Sequence, residues 1–162
     1  MSTVERQMII YIDMDGVISD FKKACELQAL DKKQMHAPDK YLDFSQNPVI
    51  FGAKEAIKQL HEMGHDLYIA STPPWRQPKA WMDKRLWVDK HFPMLRRRVI
   101  LTHHKNLLIG DVLIDDSGYR GQPDFKGKWI HFGSKGIGWK ETLEIIKNID
   151  NEMLQRTKLY PL

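Results

Sequence analysis

The feature that most constrains the fold is an alternation of short apolar runs with amphipathic segments. Five runs have the composition of buried strands: residues 8–12, 67–70, 99–101, 112–114 and 129–132. Helical stretches separate most of these runs, and the segment 139–153 carries Leu143, Ile146 and Ile149 as an apolar stripe. Near-continuous apolar strands that alternate with helices are typical of a parallel sheet buried on both faces. The sequence therefore predicts a doubly wound α/β sheet.

Two of the intervening helices have recognisable ends. The segment "FGAKEAIKQLHEMG" places Ile57 and Leu60 on one face and is expected to stop at Gly64, because glycine readily ends a helix. The segment "QPKAWMDKRLWVDKHF" is expected to begin at Pro78, which suits a first helical turn, and to end before Pro93. Both helices agree with the alternating pattern.

Residues 22–52 do not follow this alternation of strands and helices. They combine a short helix with the polar, proline-containing stretch "DKKQMHAPDKYLDFSQNP". The segment is too short to be an independent domain. We interpret it as a small cap inserted after the first strand, within one domain that spans residues 1–162.

Composition restricts the partners and the location. The 162 residues have a formal net charge of +4, which does not resemble the dense basic face of a nucleic-acid-binding protein. No apolar run approaches the ~18 residues that a membrane span needs, and the polar start "MSTVERQ" is not a secretory signal. We expect a soluble cytoplasmic protein with no membrane partner and no nucleic-acid partner, and a homodimer is compatible with the sequence.

Polar residues follow four of the predicted strands, where the ligand sites of parallel sheets lie. They are Asp13 and Asp15 after the first, Ser71 and Thr72 after the second, Lys105 after the third, and Asp115 and Asp116 after the fourth. Four acids at one edge would repel each other unless a cation offsets their charge. Oxygen ligands favour a hard cation, which predicts Mg²⁺. Hydroxyl and ammonium groups suit phosphoryl oxygens.

These motifs, in this order, resemble the haloacid dehalogenase superfamily of phosphatases, whose sheet is Rossmann-like. Within it, "DMDGVISDF", "YIASTPP", "VILTHHK" and "LIDD" are similar to the four motifs of the 5'(3')-deoxyribonucleotidases. The resemblance implies an enzyme that hydrolyses nucleoside monophosphates, with a cap after the first motif. Two features depart from that family: Ser117 stands where an arginine is common, and the cap is shorter.

The resemblance also implies roles for individual residues. Asp13 would be the nucleophile that forms an aspartyl-phosphate, and Asp15 would be the general acid and then the base. The metal ligands would be the Asp13 side chain, the Asp15 backbone carbonyl and Asp116, with Asp115 in support. Ser71 or Thr72 and Lys105 would hold the phosphoryl oxygens, and Phe21 would lie beside the substrate.

Several alternatives stay open at this point. Ser71 could instead cap the following helix, and core packing competes equally with substrate stacking for Phe21. Four other aromatic residues could stack on a base, although core packing is expected for most of them: Tyr41, Phe44, Phe51 and Trp75. The substrate could be another small phosphate or a nucleic-acid 3' end. A non-enzymatic phosphoacceptor that resembles a receiver domain is the remaining alternative.

Overall fold

A computed structural model describes residues 7–31 and 41–159 of the chain. The strands and helices follow each other in this order: β1 (Ile9–Ile12), α1 (Phe21–Leu27), α2 (Ala53–Glu62), β2 (Asp66–Ser71), α3 (Pro78–His91), β3 (Val99–Leu101), β4 (Val112–Asp115), β5 (Lys128–His131) and α4 (Trp139–Leu159). Short 3-10 helices lie in several connections, among them Phe44–Gln46 and Lys105–Leu107.

The five strands form one parallel sheet in the order β3-β2-β1-β4-β5. Strands β2 and β3 are added in turn on one side of β1, and the chain then crosses over so that β4 pairs with the other side of β1. The direction of winding therefore reverses between β1 and β4, and the carboxyl ends of these two strands form a crevice where ligands bind in such sheets. The predicted α/β class is confirmed.

All five predicted strands are present, with ends that differ by at most one residue. The prediction that strands are buried on both faces holds for β1 and β4, whereas β3 is half-buried and both ends of β5 are exposed. The physical reason is their place in the sheet: β3 and β5 are the edge strands, and each has a neighbouring strand on one side only.

The main apolar core lies between the sheet and three helices. Ile10 and Ile12 of β1 face this core, together with Ile57 of α2, Trp87 of α3 and Ile146 of α4. The opposite face of the sheet carries a smaller cluster, formed by Tyr11, Ala70, Leu113 and Phe125. Because β1 is packed on both faces and paired on both edges, the residues that follow it are held rigidly.

Helix α4 is six residues longer than the predicted segment 139–153. The apolar stripe that contacts the core ends at Met153. The added turns carry Gln155, Arg156 and Lys158, whose high helix propensity continues the helix without core contacts. Apolar periodicity marks the part of a helix that packs, which explains the shorter prediction. Across residues 7–31 and 41–159, no helix has both the length and the apolar character needed to span a bilayer.

The predicted cap, residues 22–52, includes positions 32–40, which lie outside the described residues. In the described part, helix α1 packs through Ala24 and Cys25 against Leu42, Phe44 and Ala80 of α3. This third apolar cluster connects the segment to the α3 side of the sheet, beside the carboxyl end of β1.

Candidate active site

The two acids of the first motif lie where β1 ends. The Asp13 N–H donates to the Ile114 carbonyl at 2.9 Å, which extends the pairing of β1 and β4 by one residue. The chain then turns sharply, and the Met14 carbonyl accepts hydrogen bonds from three successive amides, those of residues 17, 18 and 19. Gly16 takes φ of +82° in this turn, a value that suits glycine. The turn brings Asp13 and Asp15 to the same cavity.

Lys105 joins the acids of the first and fourth motifs. Its ammonium group donates to Asp13 Oδ1 at 2.8 Å and forms an ion pair with Asp115, and all three side chains are buried. Burial raises the pKa of Asp13 to about 7 and the charges of Asp115 and Asp15 add to this effect, while the charge of Lys105 opposes it. Burial acts to lower the pKa of Lys105, but the charges of Asp13 and Asp115 raise it overall. A carboxyl group with a strongly shifted pKa in a cavity is typical of a catalytic site.

Three carboxylates form a group that could hold a metal ion. One oxygen each from Asp13, Asp115 and Asp116 lies within 4.8 Å of the others. Asp115 is fully buried, and its two oxygens are already bonded to Lys105 and to the Ser117 N–H. Asp116 is exposed to the cavity, where desolvation by the surrounding protein and the charge of Asp115 raise its pKa. The all-oxygen donor set fits a hard divalent cation such as Mg²⁺.

The hydroxyl residues of the second motif lie in different environments. Thr72 lines the cavity, and its hydroxyl donates to the Thr102 carbonyl at 2.8 Å. Ser71 is buried and accepts a hydrogen bond from Lys84 at 3.0 Å. The alternative that Ser71 caps the following helix is wrong, because the residue at the N-cap of α3 is Gln77.

Lys84 is a site residue that the sequence analysis missed. It lies on α3, is completely buried, and forms an ion pair with Asp15 in addition to its bond with Ser71. The available signal was its place on the helix: Lys84 follows Ala80 by four residues and precedes Trp87 by three, so it occupies the buried face. A lysine on an apolar stripe needs an anionic partner.

The cavity that contains these groups has a volume of about 510 Å³. Its apolar part includes Phe21, Phe44 and Pro74, and the rings of Phe21 and Phe44 stack with their centroids 6.3 Å apart. Phe21 is half-buried, so it both packs against Phe44 and faces the cavity. The expectation that most of the four other aromatic residues pack in the core is wrong. Phe44 is buried, but Tyr41, Phe51 and Trp75 are 51%, 101% and 75% exposed.

The loop after β4 adds polar residues to the cavity. Ser117, at the position of the common arginine, lines it, and so does Arg120 three residues later. Lys22 from the start of α1 also lines the cavity, and Lys22 and Arg120 are both exposed, unlike the buried Lys105. Neither residue was among the predicted site residues, since an exposed lysine or arginine has no distinctive sequence signal.

Residues 35–144 of the chain match the family described as 5' nucleotidase, deoxy (pyrimidine), cytosolic type C protein. The chain belongs to this family. The family is part of the haloacid dehalogenase superfamily, so the predicted resemblance is confirmed. The family assignment makes the protein an enzyme, a hydrolase that acts on phosphate esters.

Individual members of the 5' nucleotidase family give the same result. A protein of Vibrio phage KVP40, provisionally named 5'(3')-deoxyribonucleotidase, is 38% identical over 134 residues, which cover 78% of this chain and 76% of the phage protein. A Bordetella bronchiseptica protein with the same provisional name is 30% identical, and the match covers 67% of this chain and 74% of that protein. The human 5'(3')-deoxyribonucleotidase of cytosolic type is 26% identical, and the match covers 78% of this chain and 79% of the human protein.

Proposed function

We propose that the protein is a magnesium-dependent phosphomonoesterase that hydrolyses deoxyribonucleoside and ribonucleoside monophosphates to a nucleoside and phosphate. The observation that carries this proposal is the placement of Asp13 and Asp15 in one cavity, beside Lys105 and a carboxylate group suited to a divalent cation. The names of the relatives support a nucleotide as the substrate class.

In the first step, a carboxylate oxygen of Asp13 attacks the phosphorus atom and forms an aspartyl-phosphate. The bond between phosphorus and the ester oxygen breaks, and Asp15 donates a proton to that oxygen as the nucleoside leaves. Lys105 and the hydroxyl of Ser71 or Thr72 bind the phosphoryl oxygens and stabilise the charge of the transition state.

In the second step, a water molecule attacks the phosphorus atom of the aspartyl-phosphate, and Asp15 accepts a proton from it. The bond between phosphorus and the Asp13 oxygen breaks, which releases phosphate and restores the Asp13 carboxylate. Asp13, the Asp15 carbonyl and Asp116 would hold the metal, with Asp115 in support. A bound Mg²⁺ would reduce the repulsion between the attacking carboxylate and the anionic phosphate.

The same proposal includes the organisation of the chain and its location. Residues 1–162 form one catalytic domain, in which the segment 22–52 is a cap that contributes Phe21's partner Phe44 to the cavity. The cytosolic type of the human relative favours a cytoplasmic location. A homodimer stays a prediction from the sequence.

Phosphate release tests the proposal. The panel consists of deoxyribonucleoside and ribonucleoside 5'- and 3'-monophosphates, a sugar phosphate and a 3'-phosphorylated oligonucleotide, each with Mg²⁺ or with chelator. We expect Mg²⁺-dependent release from mononucleotides by the wild type and none by Asp13→Asn. The control variant is Asp89→Asn, whose carboxylate pairs with Arg85 outside the cavity, and it should keep full activity.

Other outcomes would identify the alternatives. Release from the sugar phosphate or the oligonucleotide alone would change the substrate class but keep the chemistry. A stable aspartyl-phosphate without phosphate release would favour the receiver-like phosphoacceptor. Near-normal activity of Asp13→Asn would show that the proposed nucleophile is wrong.

A further inference from the structure

Lys84 is a buried charge for which the proposed reaction has no direct use. Its side chain has no solvent exposure and lies against the Asp15 carboxylate and the Ser71 hydroxyl. A buried ammonium group is strongly destabilising unless an anion and hydrogen bonds compensate for lost hydration. We propose that Lys84 is a positioning residue that fixes the Asp15 carboxylate for proton transfer to the leaving group. This inference rests on the proposed function.

Lys84 cannot act by touching the substrate. Its side chain is 0% exposed, whereas Asp15 is 25% exposed and lines the cavity. Among the described residues, the lysines that line the cavity are Lys22 and Lys105, and Lys105 pairs with Asp13. Any effect of Lys84 on the reaction must therefore pass through its neighbours.

The contacts of Asp15 explain how the carboxylate is fixed. Lys84 binds Oδ2, and the Ser19 hydroxyl donates to Oδ1 at 3.2 Å. Ser19 is itself held by Asn47, whose side-chain amide donates to its hydroxyl at 2.9 Å. A carboxylate has about four lone-pair positions, so these two bonds restrict its rotation and leave positions free on the side of the cavity.

Lys84 is held as firmly as the group that it binds. Its ammonium lies 4.7 Å from the centre of the Phe44 ring, and a cation is attracted to the face of such a ring. One turn further along α3, the Trp87 indole donates to the Asn47 carbonyl at 2.8 Å. Helix α3 thus restrains both oxygens of the Asp15 carboxylate. Lys84 binds Oδ2 directly, and Trp87 acts on Oδ1 through Asn47 and Ser19.

Loss of this restraint should affect proton transfer more than substrate binding. A nucleoside leaves as a strongly basic alkoxide and needs the proton from Asp15, whereas 4-nitrophenolate is a stable anion that leaves without one. The value of kcat/KM depends only on the steps up to and including departure of the leaving group. We therefore expect Lys84→Met to lower kcat/KM for a deoxyribonucleoside 5'-monophosphate by about 10²-fold, and to change kcat/KM for 4-nitrophenyl phosphate little.

The experiment measures kcat/KM with both substrates for the wild type, Lys84→Met, Asp15→Asn and the double variant. Because Lys84 acts through Asp15, its replacement should add nothing in the Asp15→Asn background. The matched control is Lys79→Met, which removes a lysine five positions earlier on α3 whose side chain is 59% exposed; it should behave as the wild type does.

Two results would overturn the inference: an equal loss of kcat/KM for both substrates, or a further full loss in the double variant. Circular dichroism checks that each variant is folded. If Lys84→Met is not folded, kcat/KM is measured with both substrates for Lys84→Gln, which keeps a hydrogen-bond donor, alone and in the Asp15→Asn background. A wild type that hydrolyses neither substrate, or an active Asp13→Asn, would instead contradict the proposed function.

Discussion

Gly16 lies directly against the Asp116 carboxylate, so that a β-carbon on residue 16 would be 2.1 Å from Asp116 Oδ2. The first and fourth motifs are therefore in contact at this point, as well as through Lys105. Gly16 also has a positive φ of +82°. The glycine of "DMDG" is required both for the turn after β1 and for the space that Asp116 occupies.

We predict that Gly16→Ala displaces the Asp116 carboxylate and weakens Mg²⁺ binding by an order of magnitude or more. The matched control is Gly52→Ala, because Gly52 has φ of +83° but a β-carbon added there would have no atom within 4 Å. Both variants carry backbone strain of about 1–2 kcal/mol, and only in Gly16→Ala does the added β-carbon collide with the Asp116 carboxylate, a proposed metal ligand. The measurement is the Mg²⁺ concentration dependence of the melting temperature. Equal Mg²⁺ affinity in the two variants would contradict the prediction.

Mg²⁺ itself should stabilise the folded protein, because a ligand that binds only the native state raises the free energy of unfolding. At a concentration 100 times Kd, the gain is about 2.7 kcal/mol, and each kcal/mol corresponds to roughly 2–4 °C in a chain of this size. Asp116→Asn should lose most of this shift, while Asp89→Asn should keep it. The idea of a cation at this carboxylate group fails if Mg²⁺ leaves the melting temperature of the wild type unchanged.

The stability of the metal-free protein should depend on the charge of Asp13. The pKa of this carboxyl is about 7 in the folded chain, against an ordinary value of 3.8. Between these values the folded chain holds a proton that the unfolded chain has lost, so the stability of the wild type decreases as pH rises from about 4 to about 7.

The stability of Asp13→Asn does not decrease in this way as pH rises, because asparagine does not titrate. We expect the melting temperature of the variant, relative to the wild type, to increase between pH 5 and pH 8. Thermal unfolding in the presence of chelator measures this difference. The same relative melting temperature at both pH values would show that Asp13 titrates normally in the folded protein.

Phe21 should contribute to recognition of the base. It lines the cavity and stacks on Phe44, and stacking on an aromatic ring is worth about 1–3 kcal/mol per base. Phe21→Ala is expected to lower kcat/KM for a deoxyribonucleoside 5'-monophosphate by at least about 5-fold and to leave deoxyribose 5-phosphate unaffected.

The control for this prediction is Phe51→Ala, since Phe51 is 101% exposed and does not line the cavity. It should retain the wild-type preference for the nucleotide over the sugar phosphate. Equal losses with both substrates in Phe21→Ala would assign Phe21 to packing alone.

Much of the site could be predicted because its residues follow strands directly. Asp13, Thr72 and Asp115 each come within one residue of a strand end, and strand ends are set by local apolar runs. Lys105 lies further from β3, and its role came from the family resemblance; the structure places it between Asp13 and Asp115. The aromatic residues of the cap region were predicted less well, because their exposure depends on contacts between distant segments.

The parallel α/β sheet and the acids at its carboxyl edge follow from the amino-acid sequence alone. Apolar runs and helix ends are local signals, and the alternation of strands and helices restricts how the strands can be joined. Three other facts emerge only in the folded chain: Lys84 is buried against Asp15, Asp116 fills the space beside Gly16, and Phe51 points to solvent. They depend on distances between segments far apart in the chain, and no local pattern encodes such distances.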